Sequence, residues 1–219
     1  MKKIVIIGAA NYADIVKFYV EKELQTEVSA FAVNKEFFIP NEKRNGIPIT
    51  VLENIEKDFP SKDYDICLGL IGNNMYEDRE RIYKDLKNKG YNFPNIVCKD
   101  TSIDSAIEGD ANIIFPGVVI GPYCKIGCGN IIWQNVVIAH QNTVGNFNNF
   151  SAGSIMAGLS KVEDHCFLGN NCEINNFKTV RRGTLVGAGA FVTKDTEEYS
   201  VIVPARSIVL EGKKSTDLM

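Results

Sequence analysis

Histidine is almost missing from this chain: His140 and His165 are the only two among 219 residues. A zinc centre built on three imidazoles is therefore excluded within one chain. Tryptophan occurs once, as Trp133. Six cysteines are present, yet no two stand at C-x-x-C spacing, which argues against a zinc ribbon or a dithiol redox pair. We expect them to be reduced, structural thiols and expect no metal. Basic residues are not in excess, 24 Lys and Arg against 27 Asp and Glu, giving a net charge of -3 and a pI near 5.5. No basic stripe for nucleic acid or an anionic membrane follows from that balance. No apolar run approaches the length of a membrane-spanning helix. The opening MKKIVIIG is too short, and lacks a cleavage site, for a signal peptide. The expectation is a cytoplasmic protein with neither nucleic acid nor membrane as partner.

What the chain does contain is a period of six. From Ile114 to Val192 every sixth residue is apolar, without a skipped beat or an insertion, in a chain whose overall apolar content is 45%. The residue after each is often small (Gly121, Gly127, Ala139, Gly145), and so is the fifth position (Cys124, Ser154, Ser160, Cys166, Cys172). A fixed short period means a repeat architecture. Six matches neither a helix nor a hairpin meander. It fits a triangular coil of three short strands per turn, with the first and fifth positions of each hexad pointing inward. Eighteen residues then make a coil, so Ile114, Ile132, Phe150, Leu168 and Val186 should stack as one interior ladder. Ile120, Ile138, Met156, Ile174 and Val192 should form a second, and Ile126, Val144, Val162 and Val180 a third. At ~4.8 Å between stacked strands, the prism should stand on the order of 22 Å tall.

The first hundred residues read differently. Lys3 to Ile7 is a short apolar run ending at Gly8, which predicts a buried parallel strand. A helix is expected from about Tyr12 to Glu23, with Ile15, Phe18 and Tyr19 at helical spacing, and a second strand over Val28 to Val33. In the resulting βαβ unit the turn Gly8 to Ala13 retains only the first glycine of a G-x-G-x-x-G pattern, so no dinucleotide cofactor is expected. Asn41 to Pro48 reads as a loop with Asn45-Gly46 at its turn, and Leu52 to Phe59 as a short helix. A third buried strand, Ile66 to Ile71, ends at Gly72-Asn73-Asn74 on the sheet edge where ligands of open α/β sheets gather. Tyr76 to Lys89 predicts an amphipathic helix whose many charges form a solvated face, stopped by Gly90. Asn95 to Cys98 reads as a last strand before the hexads begin near Ser102.

The hexads resemble those of the left-handed parallel β-helix in hexapeptide-repeat acyltransferases, and the handedness is taken from that resemblance. The whole order, βαβ, a Gly-Asn strand end, a charged helix and then hexads, resembles the family of bacterial sialic acid O-acetyltransferases and nucleotide-aminosugar N-acetyltransferases. It implies an α/β, small Rossmann-like domain over residues 1–98 that holds a nucleotide-linked sugar. A left-handed β-helix acyltransferase domain would span residues 99–205, and a C-terminal tail residues 206–219. On the sugar side the matching positions are Gly8, Asn11, Tyr12, Asn34, Gly72 and Asn73; Asn34 and Lys35 replace an acidic pair.

On the same resemblance, His140, at the outward third position of its hexad, stands where the family places its general base. Gln141 occupies the place of the acid that follows it. Acyl transfer to an amine or hydroxyl releases a proton from the nucleophile, so a base is needed, whereas a thioester is already activated and needs no metal. Gln141 orients a ring without adding charge. That favours an amino sugar as acceptor, with a sugar hydroxyl as the alternative and a non-catalytic scaffold as the second. Acetyl-coenzyme A is expected as cosubstrate, not as a tightly bound cofactor. In the family it lies in the groove between two prisms of a homotrimer, and Asn149, Gly158, Asn170 and Ala188 match its contacts. The outward flank that packs in such a trimer is expected to include Trp133. His165 is expected to be a solvated turn residue. The resemblance implies a role in bacterial surface glycan or lipopolysaccharide biosynthesis.

Overall fold

In a computed structural model, residues 2–72, 76–207, 211, 214 and 216 are described. The N-terminal part is a five-stranded sheet in the order β3-β4-β2-β1-β5. Its strands are β1 (Lys3–Ile7), β2 (Val28–Val33), β3 (Lys43–Arg44), β4 (Ile47–Val51) and β5 (Tyr64–Leu68). β1 pairs in parallel with β2 and β5, and β2 with β4, which gives the expected βαβ opening. Such strands are buried on both faces, which is why Ile4 to Ile7 form an unbroken apolar run.

Helix α1 (Asn11–Tyr19) and a π turn over Val20–Leu24 connect β1 to β2. The buried stripe of α1 is Tyr12, Ala13 and Val16, continued by Val20; Ile15 and Phe18, which mark the helical spacing in the sequence, are exposed. Close approach decides between the two apolar stripes: Ala13 lies against Gly69, where a Cβ would meet Ala13 at 3.0 Å. The segment read as a loop contains a hairpin instead, β3 pairing antiparallel with β4. Asn45 and Gly46 both take positive φ, 50° and 78°, as a two-residue hairpin turn demands. A 3-10 turn at Leu52–Asn54 leads into α2 (Ile55–Asp58), and α3 (Glu77–Asn88) follows β5.

The hexads fold as stacked coils. The first face has seven two-residue strands, from Ile96–Val97 through Ile113–Ile114, Ile131–Ile132, Asn149–Phe150, Phe167–Leu168 and Leu185–Val186 to Val201–Ile202. The second face has six, from Ser102–Ile103 to Phe191–Val192, and the third has four, from Lys125–Ile126 to Thr179–Val180. All pairings are parallel and advance by one coil, Ile131 opposite Ile113 and Asn149 opposite Ile131. Each of the three ladders predicted from the period is present, and they form one core. Burying each such Val, Leu or Ile contributes ~1.5–3 kcal/mol. Two ends differ from expectation. Ile96–Val97 pairs with Ile113–Ile114 and so opens the coils instead of preceding them, and Val201–Ile202 extends them at the other end.

The fifth hexad position is not always small. Asn112, Asn130 and Asn148 stack inside one corner, each side-chain oxygen accepting the backbone N–H of the next coil at 2.7–3.0 Å. This ladder satisfies turn amides that would otherwise be buried without partners.

The N-terminal unit docks on the first face. Phe115 stacks on Trp133 at 4.5 Å, Tyr19 meets Phe115 edge-on at 5.1 Å, and Tyr12 lies 5.8 Å from Trp133. Trp133 is therefore half-buried beneath the N-terminal unit, with Nε1 donating to Asn149 Oδ1 at 3.0 Å, and does not stand on an open flank. On α3, Tyr83 Oη donates to Asp110 Oδ1 at 2.5 Å, and Lys87 pairs with the same carboxylate at 2.8 Å. Part of the charged face predicted to be solvated thus grips the coils, Arg79 included.

Candidate active site

His140 sits at the corner between strand Val137–Ile138 of the second face and strand Thr143–Val144 of the third. Its imidazole is exposed and held from two sides. Gln141 has a left-handed backbone, φ 59°, that brings its side chain beside the ring, with Oε1 3.2 Å from His140 Nδ1. An amide oxygen only accepts, so the tautomer that suits this contact has its proton on Nδ1 and its lone pair on Nε2. The second support is Gly158, at the same corner one coil on. A Cβ there would lie 2.6 Å from His140 Cε1 and 2.7 Å from Nε2, so glycine makes the space that the ring occupies. Beneath the corner, Asn142 ties the coils together by donating to Ala139 O and Met156 O and accepting from Ser160 N.

This packing makes Gly158→Ala a direct test of ring placement. Its φ is not positive, so alanine fits the backbone, but the methyl must push the imidazole aside. Misplacing a catalytic group by about 1 Å costs on the order of 10²-fold in rate. We expect kcat to fall by roughly 10- to 100-fold at an unchanged melting temperature. An unaltered kcat would mean that the ring works from another position.

The remaining expected acyl-group contacts divide. Asn170 and Ala188 are exposed at the preceding corner, between the first and second faces, so one chain does not bring them to His140. Asn149 is only 4% exposed, its Oδ1 held by Trp133 and its Nδ2 by Ser151 Oγ, under the docked N-terminal unit. Both ends of that amide are occupied within the chain.

A second concavity lies at the carboxyl edge of the N-terminal sheet. It has a volume of about 710 Å³, within the range of small-molecule sites, and Gly8, Asn34 and Gly72 are among the residues that line it. Gly8 needs its missing side chain: at φ 103°, a Cβ would come within 2.8 Å of Gly69 O. The amino end of α1 opens beside it with no side-chain cap, offering backbone N–H groups. Phe37, Ile39 and Glu42 also line the concavity. They escaped notice in the sequence because they fall in the stretch between β2 and β4, where only an Asn-Gly turn stood out. Asn11 is exposed at the rim, its Oδ1 accepting from Arg44 Nη2 at 3.2 Å. Tyr12 points elsewhere; it is 6% exposed and packs on Trp133, so it belongs to the junction and not to this concavity. Asn73 lies outside the described residues.

His165 is corrected as well. It is 1% exposed, with Nε2 3.0 Å from Glu80 Oε2 and its ring 5.9 Å from that of Phe147. α3 closes over it, a contact 85 residues away in sequence. Burial likewise accounts for the sulfurs: desolvation pushes the Cys166 and Cys172 thiols up to about 12.

No family model matches the chain. The serine acetyltransferase of Bacillus licheniformis is 32% identical over 112 residues, 46% of this chain and 52% of that protein. The bifunctional protein GlmU of Methylococcus capsulatus is 27% identical over 157 residues, 55% of this chain and 34% of that one. The chain thus spans about a third to a half of the length of these curated relatives. Its fold is that of the left-handed β-helix acetyltransferases with a preceding α/β unit. The acetyltransferase domain of PglB from Neisseria gonorrhoeae FA1090 superposes with a TM-score of 0.80 at 19% identity, covering 92% of this chain and 96% of that one. PerB from Caulobacter crescentus, solved in complex with CoA and GDP-perosamine, gives 0.80 at 20% identity over 92% and 93%. WeeI from Acinetobacter baumannii AYE gives 0.77 at 21% identity over 92% and 94%. Among the described residues, no helix is long and apolar enough to cross a membrane.

Proposed function

We propose that the chain is an acetyl-coenzyme A-dependent N-acetyltransferase acting on a nucleotide-linked amino sugar in surface glycan biosynthesis. The observation that carries the reading is His140: an exposed imidazole, fixed through Nδ1, with Nε2 free and a glycine opening beneath it. The acceptor nitrogen attacks the thioester carbonyl, His140 Nε2 takes the proton released there, and the C–S bond breaks to free the thiolate, which receives that proton and leaves as the thiol. A sugar amine needs less help from the base than a hydroxyl does, which suits a partner, Gln141, that orients the ring without charge. The concavity at Gly8, Asn34 and Gly72 holds the nucleotide-linked sugar, its diphosphate facing the N–H groups that open α1.

One chain does not complete this site. The N-terminal unit covers the first face, while His140 lies at the corner opposite that face. The third face turns Lys125, Thr143, Lys161 and Thr179 outward, as a solvated surface should. The second face turns Val119, Ile155 and Phe191 outward, all exposed, with Glu173 between the last two. Three second faces gathered about an axis would bury this apolar stripe. The same packing sets the His140 corner of one chain beside the Asn170 and Ala188 corner of the next, forming the acyl-coenzyme A groove. The expected solution mass is three times the 24.3 kDa chain.

The reading is tested by free-thiol release from acetyl-coenzyme A over a panel of nucleotide amino sugars and free sugars, alongside sedimentation. Turnover confined to the nucleotide amino sugars by a trimer is the expected result. Turnover with sugar hydroxyls alone would move the assignment to O-acylation, and a sedimenting monomer would remove the shared groove.

A further inference from the structure

The concavity at the carboxyl edge of the N-terminal sheet has a lining that does not suit an anion throughout. Among the described residues, no lysine or arginine lines it, and Glu42 is its one charged side chain. That carboxylate is exposed, and no hydrogen bond or ion pair holds it among the described residues. Arg44, which feels its charge, is already taken by both oxygens of Asp14 at 2.7 and 2.6 Å. A carboxylate beside a diphosphate repels it, so the part of the ligand that meets Glu42 must be a different one, rich in N–H donors.

The strand order β3-β4-β2-β1-β5 says which part that is. Gly8 and Ala10 stand beyond β1 where α1 opens, the place for the diphosphate. Asn34 follows β2, the position from which an open α/β sheet reads a ribose. The concavity continues to β4, where Ile49 and Leu52 line it. Glu42 belongs to that end, because its carbonyl accepts from Ile49 N at 3.3 Å. From β1 to β4 is two strand spacings, roughly 10 Å, about the reach from a diphosphate across a ribose to its base. Phe37 and Ile39 also line the concavity and stay 68% and 59% exposed, an aromatic face and an apolar side chain for a flat heterocycle. The stretch that carries all three is pinned at both ends. Lys35 N donates to the Glu53 carboxylate at 3.1–3.2 Å, and the Arg44–Asp14 pair holds the hairpin to α1.

We infer that Glu42 reads the nucleobase and that the base is guanine, so the acceptor is a guanosine-diphosphate-linked amino sugar. The inference rests on the function proposed above and names its nucleotide. An ionised carboxylate only accepts, and its two oxygens ask for two donors side by side. Guanine presents that pair, N1–H and the 2-amino group. Uracil and thymine set a single N–H between two carbonyl oxygens, which a carboxylate repels. Adenine and cytosine each place an amino group beside a ring nitrogen that itself accepts.

The test compares guanosine, inosine and uridine diphosphates by calorimetry on the full chain and on Glu42→Gln. Inosine differs from guanosine only in lacking the 2-amino group, so it removes one of the two bonds and nothing else. A site built around a ligand's N–H rejects the analogue without it. Guanosine diphosphate is therefore expected to bind the unaltered chain at least tenfold more tightly than either of the others. In Glu42→Gln the amide keeps one acceptor and turns N–H groups toward a donor. Guanosine diphosphate should weaken at least tenfold and uridine diphosphate should stay within twofold, at an unchanged melting temperature because Glu42 is exposed. Equal affinities for guanosine and inosine diphosphates in the unaltered chain overturn the inference. So does an equal loss for all three in Glu42→Gln, which would mark the carboxylate as a ribose contact. Tightest binding of uridine diphosphate overturns it too and leaves the proposed function standing. If none of the three binds while coenzyme A does, the nucleotide-linked acceptor itself falls, and the inference with it.

Discussion

Substituting His140 with alanine is expected to lower kcat by ~10²–10⁴-fold while coenzyme A still binds. The size of the effect comes from what the ring does. An attacking amine becomes positively charged as it adds to the thioester carbonyl, and the adduct collapses back unless a proton leaves. His140 Nε2 is the nitrogen placed to take it, because the other ring nitrogen is engaged by Gln141 at 3.2 Å. His165 cannot substitute, being buried against Glu80 beneath α3. Binding should survive because the backbone and small residues of the groove, not the imidazole, provide the expected contact with the donor. Single-turnover acetyl transfer, with coenzyme A affinity measured separately by calorimetry, separates the two effects. A loss below about threefold would mean that solvent or the substrate itself removes the proton, leaving His140 at most a positioning residue.

The coils were legible because a period of six is itself a statement of register. Once Ile114 and Ile132 are placed one coil apart, every later inward residue follows, and the parallel pairings run in that register. The corner carrying His140 was legible for the same reason, as was the approach of Gly158, eighteen residues on, although its part in making room for the ring was not foreseen. What escaped was everything that depends on one unit docking on the other. Trp133, Tyr12 and Asn149 look outward or ligand-facing in their own segments, and only the N-terminal unit covers them. His165 and Glu80 form a pair across 85 residues, which no local pattern encodes. The hairpin over β3 and β4 is a milder case: the Asn45-Gly46 turn was visible, but strands this short carry little alternation.

Replacing Arg79 with methionine is expected to destabilise the protein by ~2–4 kcal/mol, the range for breaking a buried polar network. Arg79 is wholly buried at the junction, in the first turn of α3. Its guanidinium donates to Leu70 O and, at 3.2 Å, to Gly129 O across the junction, with Leu68 O at 3.5 Å. Two effects oppose each other. Burial disfavours the charged guanidinium and pushes its pKa below the usual arginine value, and no carboxylate pairs with it among the described residues. Methionine would remove that penalty. It would also leave up to three backbone carbonyls dry and unpartnered, each costing about 1–3 kcal/mol. The carbonyls should win, because the chain's own fold has already buried them and no side chain of methionine can reach them with a donor. For a chain of this length the melting temperature should drop by roughly 5–15 °C. Arg79→Lys should recover only part of the loss, since one ammonium cannot span carbonyls on both sides of the junction as the fork does. Calorimetric melting of the three proteins decides the matter. A methionine variant that melts at or above the parent temperature would show that the guanidinium costs more to bury than its bonds return.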